Sequence, residues 1–530
     1  MAELAAPEYP GSLPTTTEAA KPIVWARPSG MRWQAAVLLV VAGLLGAMLF
    51  YHEPWFDEAQ AWLIARDASL LELITRVLRY EGSPGLWHLL LIPPAKLHFP
   101  YVTLNILSAL FALAGSALFL RFAPFPWPVK LLYPFSFWAF YQYGVVARSY
   151  VMAPVFLFAA AILYPERARR RWAFTALLCL LATVSVQFFL VAAAIMFIDA
   201  VELAIAWRAL EPAARRARAV PLLAFGLFSL VLVGLLWPPG DQMSVPPELN
   251  LSLQHFIEIS GRMAVGSLTQ VTVLSYAVLA LSLAWFWHRR RLLVFILPTG
   301  AVIVFSALKY ESAWHEGIVF FTLLFALWVS WLPQRRLRQL PESVVFAGRS
   351  IALASRLQPT MVAVILVVLA FQVGWSARSY AYDLTQPYSG SRAAAAYIKA
   401  HHLDRAILYG TSFHVISVEP YFDHNIFRSY HDGGMPAYWD WSSHRNDMVE
   451  SPALIVQAQP DYILYGIKYR SQLPVLPFPG YAQVASFPGA LFWKDRVLEQ
   501  DAFVLFRRVG PPASFEPPRP LRRQGTQLTG

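Results

Sequence analysis

Long apolar stretches separated by short polar segments recur along the first 380 residues of the chain. A helix that crosses a membrane needs about 20 mostly apolar residues. The first such run covers residues 33–51. Later runs lie at 101–121, 129–146, 150–164, 172–187, 188–206, 220–237, 264–287, 292–308, 318–332 and 360–378. The pattern predicts an all-α membrane protein, a polytopic bundle of about 11 transmembrane helices.

Basic residues between the runs predict the orientation, because Lys and Arg are retained on the cytoplasmic side of a membrane. Four clusters fall on one side if the proline-interrupted stretch 84–98 is re-entrant or lies on the surface. They are Arg167–Arg171, Arg208 with Arg215–Arg218, His288–Arg291 and Arg335–Arg338. We therefore expect a cytoplasmic N-terminus and a C-terminus outside. A cleaved signal peptide is the alternative for the first run, but its length and the later runs favour a span.

The composition changes after the last apolar run and becomes that of a soluble domain. The predicted units are a disordered cytoplasmic tail at 1–32, a transmembrane domain at 33–378 with an outer loop at 53–98, a periplasmic α/β domain at 379–510 and a flexible tail at 511–530. Within the third unit, residues 391–402 have the pattern of a helix, and residues 406–409 and 462–465 that of short buried strands.

The overall composition excludes a soluble enzyme and a disordered scaffold. Hydrophobic residues make up 57% of the chain, charged residues 14%, and the mean hydropathy is +0.46; soluble domains are about 45–50% apolar and about 25% charged. Cys179 is the single cysteine, so an internal disulfide is impossible. The net charge of +11 is assigned to membrane orientation and anionic lipid headgroups, because the Arg clusters are too short and dispersed for nucleic acid.

The first outer loop carries two adjacent carboxylates just beyond the first span. Pro54 suits the first turn of a helix, which would run to about Arg66 with Asp57 and Glu58 in its first turns. Ser69 and Glu72 then form a capping-box pattern that begins an amphipathic interfacial helix, which Gly82 ends. The alternative, structural interpretation is that the two carboxylates interact favourably with a helix N-terminus.

These residues carry a resemblance to a known family. The motif residues are Trp55–Ala59 (WFDEA), Ala61–Asp67 (AWLIARD), Tyr143–Tyr150 (YGVVARSY) and Lys309–Gly317 (KYESAWHEG). Together with the spans and the outer C-terminal domain, they make the chain similar to the GT-C superfamily of membrane glycosyltransferases. The nearest likeness is to the bacterial branch related to protein O-mannosyltransferases and lipid A aminoarabinose transferases. The likeness extends over the whole predicted architecture, about 11 spans followed by an outer C-terminal domain, although each motif is short.

The resemblance implies an inverting transfer of sugar from a polyprenyl-phosphate donor to a glycan, lipid or protein acceptor at the outer face of a bacterial inner membrane. It implies that Asp57 is the general base or orients the acceptor. Glu58 would position the substrate or, as in metal-using relatives, a divalent cation. The motifs define no metal ligand set and no certain cofactor, so the involvement of Mg²⁺ or Mn²⁺ stays open.

Cations and aromatic residues at the outer corners are the candidate contacts for the donor, because a departing lipid phosphate needs positive charge nearby. They are Arg66, Arg148, Tyr150, Lys309, Tyr310 and His315. The alternatives are structural. Arg148 could be an interfacial arginine with its charge reaching water, and the charges of 309–317 could cap helices. Charge near the hydrocarbon boundary is costly, which favours a function.

The C-terminal domain offers weaker signals. Its histidines lack the spacing of a zinc site; they are His401, His402, His414, His424, His431 and His444. The aromatic segment Tyr438–Trp441 could stack on sugar rings or simply pack as a loop.

Two competing functions remain. A transporter or flippase of lipid-linked sugars would place its charges near the bilayer midplane. A membrane enzyme resembling O-antigen ligases or polymerases would place a large outer loop between late spans. In this chain the charges gather near one boundary, and the long outer segments are the first loop and the C-terminus, which favours the glycosyltransferase.

Overall fold

The computed structural model describes residues 30–243, 248–331, 351–443, 452–472 and 478–510, without the side chains of 351–356, 452 and 453. The predicted tails, apart from residues 30–32, lie outside the described residues. So do the basic cluster Arg335–Arg338 and His444.

The described part of the chain is mostly helical, as predicted. The α-helices are α1 (Met31–Tyr51), α2 (Phe56–Asp67), α3 (Leu70–Glu72), α4 (Leu78–Glu81), α5 (Leu86–Lys96), α6 (Thr103–Phe122), α7 (Trp127–Leu132), α8 (Met152–Leu163), α9 (Arg171–Ala182), α10 (Val186–Ala206), α11 (Pro212–Leu236), α12 (Leu253–Leu268), α13 (Thr272–His288), α14 (Leu292–Leu308), α15 (Glu316–Trp331), α16 (Ile351–Thr385), α17 (Ser391–Ala400) and α18 (Pro452–Ala458). Two π-helical segments, Leu73–Val77 and Phe137–Val145, lie between them.

Seven helices within the described ranges are long and apolar enough to cross a membrane, and an eighth span results if the bent pair α12 and α13 counts as one. The predicted number of about 11 is therefore not confirmed. Three predicted runs account for the difference. Two are the shorter helices α9 and α14. The third, 129–146, is interrupted after Leu132 near Pro134, which lacks a donor N–H and disfavours helix before it.

One helix forms the centre of the bundle. Within the apolar stretch of α15, 94% of the residues are buried. In the corresponding stretches of α1 and α11 only 17% of the residues are buried. An apolar helix can remain this exposed in an aqueous protein only at great cost, but lipid is a suitable solvent for it. The chain is thus a multi-pass membrane protein whose peripheral helices present apolar faces to the bilayer.

The first loop has the predicted local structure. Helix α2 begins at Phe56 and ends at Asp67, close to the predicted end at Arg66. The Ser69 hydroxyl accepts a hydrogen bond from the Glu72 N–H at 3.1 Å, which confirms the capping box. Gly82 ends α4 in the left-handed conformation at a φ of 60°, where glycine carries no steric penalty. The two acidic residues therefore lie in the first turn of α2.

The C-terminal domain is the predicted small α/β unit. Its strands are β1 (Leu408–Thr411), β2 (Tyr462–Ile467), β3 (Tyr481–Phe487), β4 (Ala490–Trp493), β5 (Arg496–Gln500) and β6 (Ala502–Arg508). A four-stranded sheet has the order β1-β2-β6-β3, with β1 and β2 parallel and the other pairs antiparallel. Strands β4 and β5 form a separate hairpin. The two predicted strands correspond to β1 and β2, and the helix predicted at 391–402 to α17.

A buried lysine of this hairpin joins the domain to the bundle. The Lys494 side chain is 0% exposed, and its Nζ donates to the Gly266 carbonyl and to Glu316 Oε2, both at 2.7 Å. The ammonium also lies 4.9 Å from the Trp138 ring centroid and 4.7 Å from that of Trp375. The domain is therefore anchored at the first residue of α15, beside the loop 309–315.

Candidate active site

An ion pair joins the first loop to the corner after the second π-helical segment. Asp57 lies in the first turn of α2, where a helix N-terminus favours a carboxylate. Its Oδ2 lies 2.9 Å from Nη2 of Arg148. The Arg148 guanidinium also lies over the rings of Tyr150 (5.2 Å) and Trp314 (5.5 Å). The Asp57 side chain is 26% exposed, so part of its carboxylate remains accessible.

The ion pair borders a cavity of about 420 Å³, here called the apolar-walled cavity. Part of its wall comes from α11, through Leu232, Val233 and Leu236. The predicted site residues that line it are Asp57, Arg148, Tyr150, Lys309, Tyr310 and His315. Arg148 Nη1 is buried and has no hydrogen-bond partner in the described part of the chain. The cavity thus combines apolar walls with a cation, Arg148, whose Nη1 can still donate a hydrogen bond.

A tyrosine hydroxyl in the same cavity is held by a histidine. Nδ1 of His315 accepts a hydrogen bond from the Ser312 N–H at 3.2 Å, so the neutral imidazole carries its proton on Nε2. Nε2 lies 3.1 Å from the Tyr150 hydroxyl, which then accepts this bond. The Gln187 amide also lies 3.1 Å from this nitrogen, and with the proton on Nε2 its oxygen must face the ring. The Tyr150 hydroxyl proton is therefore available to a ligand in the cavity.

A second cavity, of about 1030 Å³, lies between the bundle and the C-terminal domain and is here called the polar cavity. Its charged lining residues are Asp57, Arg262, Glu311, Glu316, Lys468, Asp495, Arg496 and Glu499. Both cavities are lined by Phe56, Asp57, Tyr310 and Trp441. Asp57 therefore lies where an apolar-walled space and a polar space meet.

Glu58, the second predicted carboxylate, has a different environment. Its side chain is 0% exposed and lines neither cavity. Oε1 accepts the Ala147 N–H at 2.7 Å, and Oε2 accepts the Trp55 N–H at 3.2 Å. Oε2 also lies 3.3 Å from His52 Nε2. Glu58 thus ties the start of α2 to the backbone next to Arg148, which fixes the two ends of the Asp57–Arg148 pair.

His52 continues this buried network. Its Nδ1 lies 2.8 Å from Oδ2 of Asp383, whose Oδ1 accepts the Tyr141 hydroxyl at 2.9 Å. Burial disfavours the imidazolium, but Glu58 and Asp383 outweigh this effect and raise the pKa of His52 to about 10. At neutral pH the His52 imidazolium therefore lies between the side chains of Glu58 and Asp383.

Stability should respond to pH through His52. The folded-state pKa of about 10 exceeds the ordinary value of 6.5, so the stabilisation is fully present below pH 6.5 and is lost as the pH rises towards 10. We expect the melting temperature of the purified protein to fall more steeply between pH 7 and 10 than that of His52→Gln. The control is His424→Gln, on a half-exposed histidine of the C-terminal domain. Parallel curves for wild type and His52→Gln would contradict this assignment.

Arg66 also lies outside both cavities. Its Nε pairs with Asp67 at 2.6 Å, and its Nη1 donates to the Phe422 carbonyl at 2.7 Å. The Asp67 carboxylate in turn accepts the Ala437 N–H at 2.8 Å. Arg66 thus binds the end of α2 to the C-terminal domain.

The aromatic segment Tyr438–Trp441 packs against the same helix. Trp439 is buried and exchanges hydrogen bonds with Gln60, and Trp441 lines both cavities.

Several lining residues were not predicted. Arg79 and Glu81 of α4 and Gln187 of α10 line the apolar-walled cavity. Burial raises the pKa of Glu81 to about 7, although a hydrogen bond from Gln60 opposes this. Arg79 and Glu81 were visible as charges in an amphipathic helix, whereas no local pattern marked Gln187. The residues that the structure describes contain no group of three or more His, Cys, Asp or Glu arranged to hold a metal ion.

Comparisons with known proteins bear on the fold. No protein-family model matches the chain, and no curated protein sequence matches it. The comparison with solved structures shows that the helical bundle and its small C-terminal domain have a GT-C-like fold. One match is the structure of ArnT from Cupriavidus metallidurans in the apo state, with a TM-score of 0.50 and 11% sequence identity, covering 90% of this chain and 98% of that one. The predicted GT-C-like fold is therefore confirmed.

Proposed function

We propose that this protein is an inverting glycosyltransferase that moves a sugar from a polyprenyl-phosphate donor to an acceptor. The reaction takes place at the outer face of a bacterial inner membrane, with the N-terminus in the cytoplasm and the C-terminal domain in the periplasm. The observation that carries the proposal is the position of Asp57 at the meeting point of the two cavities. The ArnT-like fold supports it.

The apolar-walled cavity fits the donor. A polyprenyl chain needs apolar walls and access from the bilayer. Helix α11 supplies both, because it lines the cavity and most residues of its apolar stretch are not buried in the protein. The donor phosphate needs cations and hydrogen-bond donors. Arg148 Nη1, Lys309 and the Tyr150 hydroxyl line the same space. As the sugar departs, positive charge here stabilises the phosphate that is left behind.

The polar cavity fits the acceptor. Inversion requires that the acceptor hydroxyl attack from the side of the sugar opposite the leaving phosphate, while a base takes its proton. Oδ1 of Asp57 is the candidate base, and Arg148 holds the other carboxylate oxygen at 2.9 Å. Glu58 is then a positioning residue that fixes α2, and Arg66 fixes the far end of the same helix.

Release of polyprenyl phosphate tests the proposal even while the acceptor is unidentified. The purified protein in liposomes is given a panel of polyprenyl-phosphate sugars, with a bacterial envelope lipid extract as the acceptor source, and free polyprenyl phosphate is measured by mass spectrometry. We expect at least one donor to be cleaved. Movement of intact donor across the bilayer without cleavage would instead favour a transporter or flippase.

Replacement of Arg148 should act on the donor side. Arg148→Gln removes the guanidinium and leaves Asp57 without its ion-pair partner, so we expect kcat/KM for the donor to fall by about 100-fold. The matched control is Arg428→Gln, because Arg428 is an exposed arginine of the C-terminal domain that lines neither cavity. Equal donor kinetics in both variants would remove Arg148 from the donor site.

A further inference from the structure

A histidine and an aspartate of the C-terminal domain form a buried pair beside the polar cavity. Nδ1 of His414 lies 3.1 Å from Oδ1 of Asp501, and the two side chains are 1% and 0% exposed. Oδ2 of Asp501 accepts the Ser389 hydroxyl at 2.5 Å, and its backbone carbonyl accepts the Gly390 N–H at 2.8 Å. These bonds hold the carboxylate in place, so the His414 ring directs its Nδ1 proton to it.

The second ring nitrogen of His414 has no such contact. Nε2 is buried and lacks a hydrogen-bond partner among the residues that the structure describes. In a ring that carries a single proton on Nδ1, facing Asp501, Nε2 is a hydrogen-bond acceptor. A buried polar atom without a partner is unfavourable unless a ligand supplies one. His414 lines the polar cavity together with Asp57, so a ligand in that cavity can reach it.

The surroundings of this nitrogen indicate the chemistry of the ligand. The Phe56 and Phe413 ring centroids lie 5.5 and 4.4 Å from the imidazole centroid. Further aromatic rings line the cavity, from Trp314, Trp441 and Trp493. The charged pair Lys468 and Glu499, 3.9 Å apart, lies in the same lining. Aromatic faces mixed with polar groups suit a saccharide, which has apolar C–H faces and hydroxyls on its rim.

We propose that His414 binds the acceptor, which is a saccharide. Its Nε2 accepts a hydrogen bond from an acceptor hydroxyl in the polar cavity, and Asp501 is the positioning residue that keeps the ring in the required tautomer. This inference rests on the proposed function, because it assigns the acceptor side of the same reaction. It gives the C-terminal domain a direct part in substrate binding.

Two substitutions of His414 separate a binding role from a structural one. Asn places its amide near the position of Nδ1, so His414→Asn can keep the bond to Asp501 while nothing reaches the cavity. Gln extends to the position of Nε2, so His414→Gln can offer an oxygen to the acceptor while the bond to Asp501 is lost. The matched control is His424→Asn, since His424 is half-exposed and bonded to Asp423 at 2.8 Å.

Transfer is measured with the full-length protein in liposomes, a cleavable polyprenyl-phosphate sugar, and octyl glycosides of glucose, galactose and mannose as acceptor probes. We expect His414→Asn to raise the acceptor KM by about tenfold while kcat changes by less than about threefold, with a smaller rise in KM for His414→Gln. The melting temperature of each variant is recorded alongside, and we expect that of His414→Asn to stay close to wild type.

Two results would overturn the assignment. One is a wild-type acceptor KM in both variants. The other is the reverse order, in which His414→Gln is impaired and unstable while His414→Asn behaves as wild type; this would show that the histidine serves only to satisfy Asp501. Absence of donor cleavage by the wild-type protein would instead overturn the proposed function itself, so the two failures are distinguishable.

Discussion

Asp57→Asn should abolish most sugar transfer and leave donor binding intact. The amide has nearly the shape of the carboxylate but cannot take a proton from an acceptor hydroxyl, and general base catalysis is worth about 10²- to 10⁴-fold in rate. We therefore expect kcat to fall by at least about 100-fold. Donor affinity should not weaken, because Arg148 loses the carboxylate that now pairs with it at 2.9 Å and becomes fully available to phosphate.

The measurement separates the two effects. Transfer is followed as polyprenyl phosphate release, and donor affinity as competition by unlabelled polyprenyl phosphate. Asp423→Asn is the matched control, since that carboxylate belongs to the C-terminal domain and is 86% exposed. Undiminished transfer by Asp57→Asn would remove Asp57 from the mechanism. A fall in transfer caused entirely by weaker donor binding would make Asp57 a binding residue instead of the base.

The parts of the fold that follow from local pattern were predicted, and the parts that depend on packing were not. Apolar runs predicted the long helices because a span must satisfy its backbone internally and be apolar over its length. The run 129–146 has the same composition, but Pro134 and the packing around it produce a short α-helix, a 3₁₀ turn and a π-helical segment. Strand β3 (YAQVASF) was missed, since only pairing with β6 distinguishes it from a loop.

The same distinction holds for the site. Asp57 and Arg148 belong to short motifs at two corners of the bundle, so a topology that placed both corners on one side was enough to bring them together. The supporting contacts could not be predicted, because their partners are remote in sequence. His52 and Asp383 are 331 positions apart, and Lys494 and Glu316 are 178 apart. The donors to both Glu58 oxygens are likewise beyond the reach of a sequence, because they are the backbone N–H groups of Ala147 and Trp55.

Lys494 is the position where a single substitution should cost the most stability. Lys494→Met keeps the volume of the side chain but leaves the Glu316 carboxylate, 8% exposed, without the ammonium at 2.7 Å. Leaving one buried partner of an ion pair uncompensated costs about 3–5 kcal/mol. The Gly266 carbonyl loses its donor as well. We expect a large fall in the melting temperature of the purified protein, together with reduced transfer, because Glu316 follows His315 at the apolar-walled cavity.

A second substitution shows whether the loss comes from the unpaired charge. In the double variant Lys494→Met with Glu316→Gln, no buried charge remains at this contact. Replacing a buried ion pair as a whole is often nearly neutral, so most of the melting temperature should return. Lys399→Met is the matched control, since Lys399 is exposed on α17 with its ammonium 4.9 Å from the Phe422 ring centroid. If the double variant is no more stable than Lys494→Met, packing of the lysine among Trp138 and Trp375, and not its charge, anchors the domain.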